Sequence, residues 1–177
     1  MRRLFLASSA ALLALAGCST PIVPESAPPA PLPRPTPTPA PVPTPTQGPD
    51  WRDWALTPGT WAYREEGRGS IAVYGRSGAD ADLTLRCDRG VGRLYLSRRG
   101  DGVSTLDVRT STMRKTLRAL PGAGTPVYAT AELTARDPLI DAMGFSRGRF
   151  VIESPGAPAL VLPAWPEILR VAEDCRG

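Results

Sequence analysis

The chain has 177 residues and a formal net charge of +4, from 21 basic and 17 acidic side chains, and it contains no histidine. So small a net charge does not favour a nucleic-acid partner, whose binding depends on many phosphate contacts. Without histidine, the base used by Ser–His and Cys–His hydrolases is missing. Ser–Lys chemistry is excluded as well, because Lys115 is the only lysine and no S-x-x-K sequence includes it. We expect no catalytic residue of these types, no cofactor and no metal.

The N-terminus has the order of features found in secretory signal peptides. Arg2 and Arg3 precede an apolar run over residues 4–16, interrupted only by Ser8 and Ser9. The run is too short to span a bilayer, which takes about 20 apolar residues. We therefore predict that residues 1–17 are a signal peptide that is removed on export.

The residues at the end of this run, Leu15-Ala16-Gly17-Cys18, resemble the lipobox of bacterial lipoproteins. The resemblance implies that Cys18 becomes the acylated first residue of the mature protein and anchors it to a membrane. Ser19, rather than Asp, follows this cysteine. By resemblance to the sorting pattern of enteric bacteria, that implies the outer membrane, with the protein facing the periplasm. The alternative is an ordinary signal peptide followed by a chance cysteine.

Residues 18–49 form a proline-rich segment that differs from the rest of the chain. Positions 21–49 hold 13 of the 21 prolines. Each proline fixes its own φ and pushes the preceding residue toward extended geometry, which favours polyproline II over a packed core. At about 3.1 Å per residue, the segment would reach on the order of 90 Å. We predict a disordered tether, with a proline-rich ligand for a partner domain as the alternative.

Residues 50–177 have the composition and length of one globular domain. Trp51 and Trp54 are spaced as on one face of a helical turn at its entry. Arg99-Gly100-Asp101-Gly102 has the composition of an Asp-Gly hairpin turn. Apolar side chains recur with period two around Trp61 and Tyr63, Ile71 and Val73, Leu83 to Cys87, Leu94 and Leu96, Leu106 and Val108, and Ala129 to Leu133. The pattern predicts a mainly β domain, an antiparallel sandwich-like arrangement with one solvated face.

Two helices are predicted near the C-terminus. Asp137 can cap a short helix that has Pro138 at its first position and ends at Gly144. After two further strands, Pro166 opens a C-terminal helix that we expect to pack on the sheet. Its apolar residues fall at i, i+3, i+4 and i+7 and form one stripe: Ile168, Val171, Ala172 and Cys175.

The cysteine count predicts one disulfide. With Cys18 acylated, Cys87 and Cys175 remain in an oxidising compartment, where thiols normally pair. Cys87 lies on the apolar side of its strand and Cys175 in the apolar stripe of the last helix. A bridge between them would pin this helix to the sheet; two free buried thiols are the alternative.

The layout of residues 137–175, a short helix, two strands and a cysteine-bearing terminal helix, resembles periplasmic β-domains of the invasion-associated locus B type. The resemblance implies a small β-sandwich without known catalysis. The Trp165-Pro166 entry into the last helix departs from that layout.

One segment has a strong chemical bias. Arg109, Arg114, Lys115 and Arg118 follow one another without an intervening acid. Each can make charge-assisted bonds to an anionic glycan, to lipid headgroups or to carboxylates of a partner. We therefore take these four residues as a candidate binding patch, with an ordinary solvated strand face as the alternative. Residues 144–148 match the G-x-S-x-G pattern, but without a histidine we interpret them as a helix stop and a turn.

These observations predict a lipid-anchored cell-envelope protein with a binding or structural role, whose partner is an envelope protein or cell-wall glycan. The alternative is a carboxylate-dependent enzyme acting on cell-wall glycan, which needs two carboxyl groups facing each other across a cleft. A binding module would instead present a shallow basic or aromatic patch.

Lipidation at Cys18 is the first testable prediction. Intact-mass spectrometry of the mature protein should find a diacyl or triacyl group on this residue, and Cys18→Ser should abolish both the modification and the processing. A water-soluble mature chain that begins at another residue would contradict the prediction.

Overall fold

The computed structural model describes residues 48–177. The predicted signal peptide, Cys18 and residues 18–47 of the predicted tether lie outside the described residues. The described part is mainly β, with two antiparallel sheets, a short helix and a C-terminal helix. The fold class predicted from the alternating pattern is confirmed.

Residues 48–177 contain a short 3-10 turn, ten strands and two α-helices. In chain order they are the turn (Trp51–Asp53), β1 (Thr60–Glu66), β2 (Gly69–Gly75), β3 (Leu83–Asp88), β4 (Arg93–Arg99), β5 (Thr105–Arg109), β6 (Arg114–Arg118), β7 (Leu120–Pro121), β8 (Tyr128–Thr134), α1 (Pro138–Gly144), β9 (Arg149–Ser154), β10 (Ala157–Pro163) and α2 (Glu167–Arg176).

The strands form two sheets that enclose the main core. Sheet A has the order β1-β2-β3-β4-β8-β7, and sheet B has the order β10-β9-β5-β6. All neighbouring strands in both sheets are antiparallel. The core consists of the inner faces of the two sheets together with the buried sides of α1 and α2.

Strands β3 and β4 follow the alternation expected from the sequence. Leu85 and Leu96 are cross-strand partners, each 1% exposed, and both belong to the core. Thr84 and Arg86 flank Leu85 along the chain and therefore point to the opposite, outer face of sheet A. The polar residues of β3 thus lie on the outer face of sheet A.

Strand β2 uses its apolar residues differently from the sequence interpretation. Ile71 and Val73 share a face, as predicted, but it is the outer face of sheet A. Ala72 and Tyr74 are buried in the core instead. The register explains this, because Ala72 is the direct partner of Leu85 and opposed residues share a face of the sheet.

The hairpin predicted at residues 99–102 is wrong. β4 pairs with β3 and β8, whereas β5 pairs with β6 and β9, so residues 100–104 carry the chain from sheet A to sheet B. Gly102 has a φ of 70°, a left-handed conformation that glycine adopts without strain. Val103 is 2% exposed and packs in the core. The Gly-Asp-Gly residues therefore do form a turn. Because Val103 is buried in the core, the chain then crosses to sheet B instead of returning along β4.

Both helices begin and pack as predicted. The Asp137 side chain accepts a hydrogen bond from the Leu139 N–H at 3.0 Å and caps α1. Helix α2 contacts β1, β2, β3 and β4 as well as α1. Its predicted apolar stripe is its buried side: Ile168, Val171, Ala172 and Cys175.

One charged side chain lies inside the sandwich, and the sequence did not indicate it. Arg98 is 2% exposed, and its guanidinium donates to the backbone oxygens of Ile152, at 3.3 Å, and of Pro158. The β9–β10 pairing is irregular between Ala157 and Leu160, which frees the backbone oxygen that Arg98 uses. Burial lowers the pKa of Arg98, against the opposing influence of a nearby carboxylate. Arg98 thus supports the irregular end of β10 from inside.

The N-terminal residues of the described part cover sheet B. Val151 and Val161 alternate with core residues, so they lie on the outer face of this sheet, where Trp51 packs on both. Thr57 then lies along the edge of β10, because its N–H donates to the Val161 oxygen at 2.9 Å and its hydroxyl accepts from the Val161 N–H at 2.9 Å. This arrangement protects an edge strand from pairing with another chain.

The predicted cysteine pair is present. Cys87 and Cys175 are joined with their Cα atoms 5.5 Å apart, a usual separation for a disulfide. The bond connects the inner side of β3 to the buried side of α2, as expected from the two apolar patterns.

Loss of this bond should destabilise the domain. The two residues are separated by 88 positions, and closing a loop of that length contributes roughly 4.6 kcal/mol in the chain-entropy model. We expect Cys87→Ser to lower the melting temperature by roughly 15 °C in a calorimetric scan of the oxidised protein. The double variant Cys87→Ser/Cys175→Ser should melt like the single variant. Equal melting temperatures for wild type and variants, or two free thiols in the folded protein, would contradict the bond.

Candidate functional site on the outer face of sheet A

The outer face of sheet A carries a groove of about 630 Å³. This volume is in the range of small-ligand sites. Strands β1, β2, β3, β4 and β8 form its floor, and the loop between β2 and β3 forms a wall. The lining residues are Arg64, Ile71, Val73, Ala79, Asp80, Ala81, Thr84, Arg86, Tyr95, Ser97, Tyr128 and Thr130.

The sheet register arranges the floor in rows. Val73, Thr84, Ser97 and Thr130 are successive cross-strand partners on β2, β3, β4 and β8. Their side chains are therefore adjacent on one face of the sheet. The Oγ atom of Ser97 and the Oγ1 atom of Thr130 are 2.9 Å apart and share a hydrogen bond. This row begins with an apolar side chain and continues as a line of hydroxyl groups.

The neighbouring row holds a cation and an aromatic ring. Ile71, Arg86 and Tyr95 are successive partners on β2, β3 and β4. The guanidinium carbon of Arg86 lies 5.0 Å from the centre of the Tyr95 ring, within the range of a cation–π contact. Among residues 48–177, neither the Arg86 guanidinium nor the Tyr95 hydroxyl has a hydrogen-bond or ion-pair partner. Both side chains are partly buried.

A tyrosine fixes the wall of the groove. The Tyr128 hydroxyl donates to the backbone oxygen of Ala81 at 2.7 Å, which ties β8 to the loop before β3. Burial raises the pKa of Tyr128, and the carboxylates of Asp80 and Asp82 raise it further, against Arg99. The phenol is therefore protonated at neutral pH and acts as a donor in this contact.

The carboxylates around the groove are mostly engaged. Asp82 pairs with Arg99, and the Glu132 carboxylate lies 3.2 Å from Arg93. Asp80 is the one carboxylate among the lining residues in the described part of the chain. The groove therefore does not supply the two facing carboxyl groups that the glycan-hydrolase alternative requires.

The predicted basic patch lies elsewhere, on sheet B. Arg109 is on β5, and the other three residues are on its edge neighbour β6. Arg118 is exposed and has no ion-pair partner within residues 48–177. Although the segment itself lacks acids, the fold brings a carboxylate to each of the others, at 2.9 Å for Arg109 and Glu153, 3.0 Å for Arg114 and Asp107, and 2.7 Å for Lys115 and Asp137. The positive charge of the segment is thus largely compensated.

The G-x-S-x-G segment is structural, as interpreted from the sequence. Ser146 is 6% exposed; its hydroxyl donates to the Arg149 oxygen at 2.5 Å and accepts from the Ser111 N–H at 3.0 Å. Both bonds hold the turn after α1, so this hydroxyl is already engaged.

Residues 48–177 contain no cluster of three His, Cys, Asp or Glu side chains placed to bind a metal ion. In the same residues, no helix has the length and apolar character to cross a bilayer. The chain matches no family model, no curated protein and no solved structure.

None of the groove residues was predicted as a site. The alternating pattern placed Arg86 and Thr84 on the polar side of their strand, which is the only signal in the sequence. It cannot distinguish a groove from an ordinary solvated face, because the wall comes from the loop at residues 76–82.

The ion pair of Asp107 predicts a pH dependence of stability. Hydrogen bonds from Arg114 hold the pKa of Asp107 below its usual 3.8, so folding is favoured by the charged form. Above 3.8 this stabilisation is fully present, and it is lost as the pH falls through the lower folded-state pKa. We expect Asp107→Asn to melt below wild type at pH 7 and to match it in strong acid. Asp101→Asn, at an exposed turn and without an ion pair among residues 48–177, is the control. A difference that persists unchanged in strong acid would show that the carboxylate charge is not the cause.

Proposed function

We propose that this protein is a lipid-anchored cell-envelope protein whose β domain binds an envelope ligand in the groove of sheet A, without catalysing a reaction. The observation that carries the proposal is Arg86. The Arg86 side chain is partly buried, and its guanidinium lies against Tyr95 and has no carboxylate partner within residues 48–177. Its N–H donors are therefore free to form charge-assisted hydrogen bonds with an anionic ligand in the groove.

The chain enters the described domain on the side opposite to the groove, which leaves the groove free for a ligand. The chain enters the domain at the outer face of sheet B, where Trp51 packs on Val151 and Val161. The groove lies on the outer face of sheet A, the opposite side of the sandwich.

The groove also favours binding over the enzymatic alternative. Asp80 is a single carboxylate, and the nearby Asp82 is already paired with Arg99. An aromatic and basic surface of this kind is what the sequence led us to expect of a binding module. The basic segment on β5 and β6 remains a second candidate contact, and Arg118 is its member without an ion pair in the described part.

Crosslinking and recovery from intact envelopes test the proposal with the full-length protein. We expect Arg86→Met, and independently Tyr95→Leu, to reduce recovery of the crosslinked partner severalfold at an unchanged melting temperature. Arg136→Met, an exposed arginine with no ion pair in the described residues, is the matched control and should recover as wild type. The triple variant Arg114→Ala/Lys115→Ala/Arg118→Ala reports on the basic segment.

Two results would overturn the proposal. If the triple variant lost recovery of the partner while Arg86→Met and Tyr95→Leu kept it, the contact would lie on sheet B. Cleavage of cell-wall glycan by the purified protein, abolished by Asp80→Asn, would establish the enzyme instead.

A further inference from the structure

We infer that the ligand of the sheet A groove is an acidic saccharide, whose carboxylate binds Arg86 and whose hydroxyl groups bind the row at Thr84, Ser97 and Thr130. This inference rests on the proposed function, because it names the class of ligand for the same groove.

Arg86 selects for the carboxylate. Its guanidinium is a planar fork of N–H donors that matches a carboxylate with two parallel hydrogen bonds. The contact with Tyr95 holds the plane in place while leaving these donors without protein partners in the described part. Asp80 adds a negative charge to the lining. Arg64 and Arg86 outnumber it, so the lining as a whole favours an anionic ligand.

The hydroxyl row matches the functional groups of a sugar. A serine or threonine hydroxyl has one donor and two acceptor positions. The bond between Ser97 and Thr130 uses one donor and one acceptor, so this pair retains both kinds of position. Sugar hydroxyl groups also donate and accept, and Asp80 can accept from them with the strength of a charged acceptor. At the start of the row, the partly buried Val73 offers apolar surface for the C–H face of a sugar ring.

The strand pairing argues against an extended peptide in the groove. Peptides bind to sheets mainly by adding a strand to a free edge, where backbone groups are unpaired. The central strands β2, β3, β4 and β8 are each paired on both sides. These four strands therefore offer side chains and no backbone edge, which suits a ligand whose polar groups are hydroxyls. The edge strand β1 contributes only Arg64 to the lining.

Titration calorimetry of the full-length protein in detergent tests the ligand class. The probes are oligosaccharides containing glucuronic, galacturonic or muramic acid, each with its carboxyl-reduced counterpart, and a hexaglutamate peptide. We expect at least one acidic oligosaccharide to bind, and its reduced counterpart to bind at least tenfold more weakly.

The variants assign the two parts of the contact. Arg86→Gln should lower the affinity for the acidic form to that of the reduced form. Ser97→Ala should weaken both forms by similar factors. Arg136→Gln, which removes an exposed charge outside the groove, is the matched control and should change neither. Tyr95→Phe removes only the hydroxyl group and keeps the ring against Arg86, so it should keep the preference for the acidic oligosaccharide. Its binding would show that a substitution in the groove does not by itself unfold the domain.

The possible outcomes separate the saccharide assignment from the proposal that the groove binds an envelope ligand. Equal binding of acidic and reduced forms, or tighter Arg86-dependent binding of hexaglutamate, would overturn the saccharide assignment. If no oligosaccharide binds but Arg86→Met still loses the envelope partner, the groove functions and the saccharide inference fails. If neither effect occurs, both fail.

Discussion

Helix α2 lies against the inner face of sheet A, with Val171 and Ala172 fully buried and Cys175 bonded to Cys87 on β3. Sheet A has six strands and sheet B only four, so sheet B alone does not match the width of the larger apolar face. The two helices complete the cover, and they approach closely: a Cβ on Gly144 would lie 2.4 Å from atoms of Leu169. Once the inner face is closed in this way, every second side chain of β3 and β4 must point outward. These outward side chains form the floor of the groove, and the loop between β2 and β3 adds its wall.

The two outer faces of the sandwich have different environments. On sheet B, Trp51 covers the valines of β9 and β10, and Trp54 ties the preceding chain down by donating from its indole to the Gly48 oxygen at 2.6 Å. Arg149 adds a hydrogen bond to the Trp54 oxygen. On sheet A no described segment crosses the floor of the groove. The polar character of the groove therefore reflects exposure to solvent or ligand, while the outer face of sheet B is occupied in part by the chain's own entry.

Much of this architecture follows from local pattern, and the parts that do not follow depend on distant contacts. Alternation predicted β3 and β4 because each strand has one buried face, and the two cysteines could be paired because both lay on such faces. The same reasoning misjudged β2, where small Ala72 and large Tyr74 are buried together and the apolar Ile71 faces outward; only the register with β3 decides this. The basic segment looked uncompensated because Glu153 lies 44 positions from its partner Arg109. Hairpin composition likewise could not show that Val103 would be buried.

Two arginines on adjacent strands illustrate how the fold treats a cation. Arg98 on β4 is almost fully buried. Backbone oxygens of Ile152 and Pro158 accept two of its hydrogen bonds and offset part of the cost of its burial, while its Nε has no partner within residues 48–177. Arg86 on β3 faces the other side and has only the face of Tyr95, which is worth about 0.5–1 kcal/mol at an exposed site. Hydrogen bonds to charged groups contribute about 1.5–3 kcal/mol each. Most of the favourable interaction free energy that Arg86 can gain is therefore not used within the described domain. A carboxylate bound in the groove would provide it.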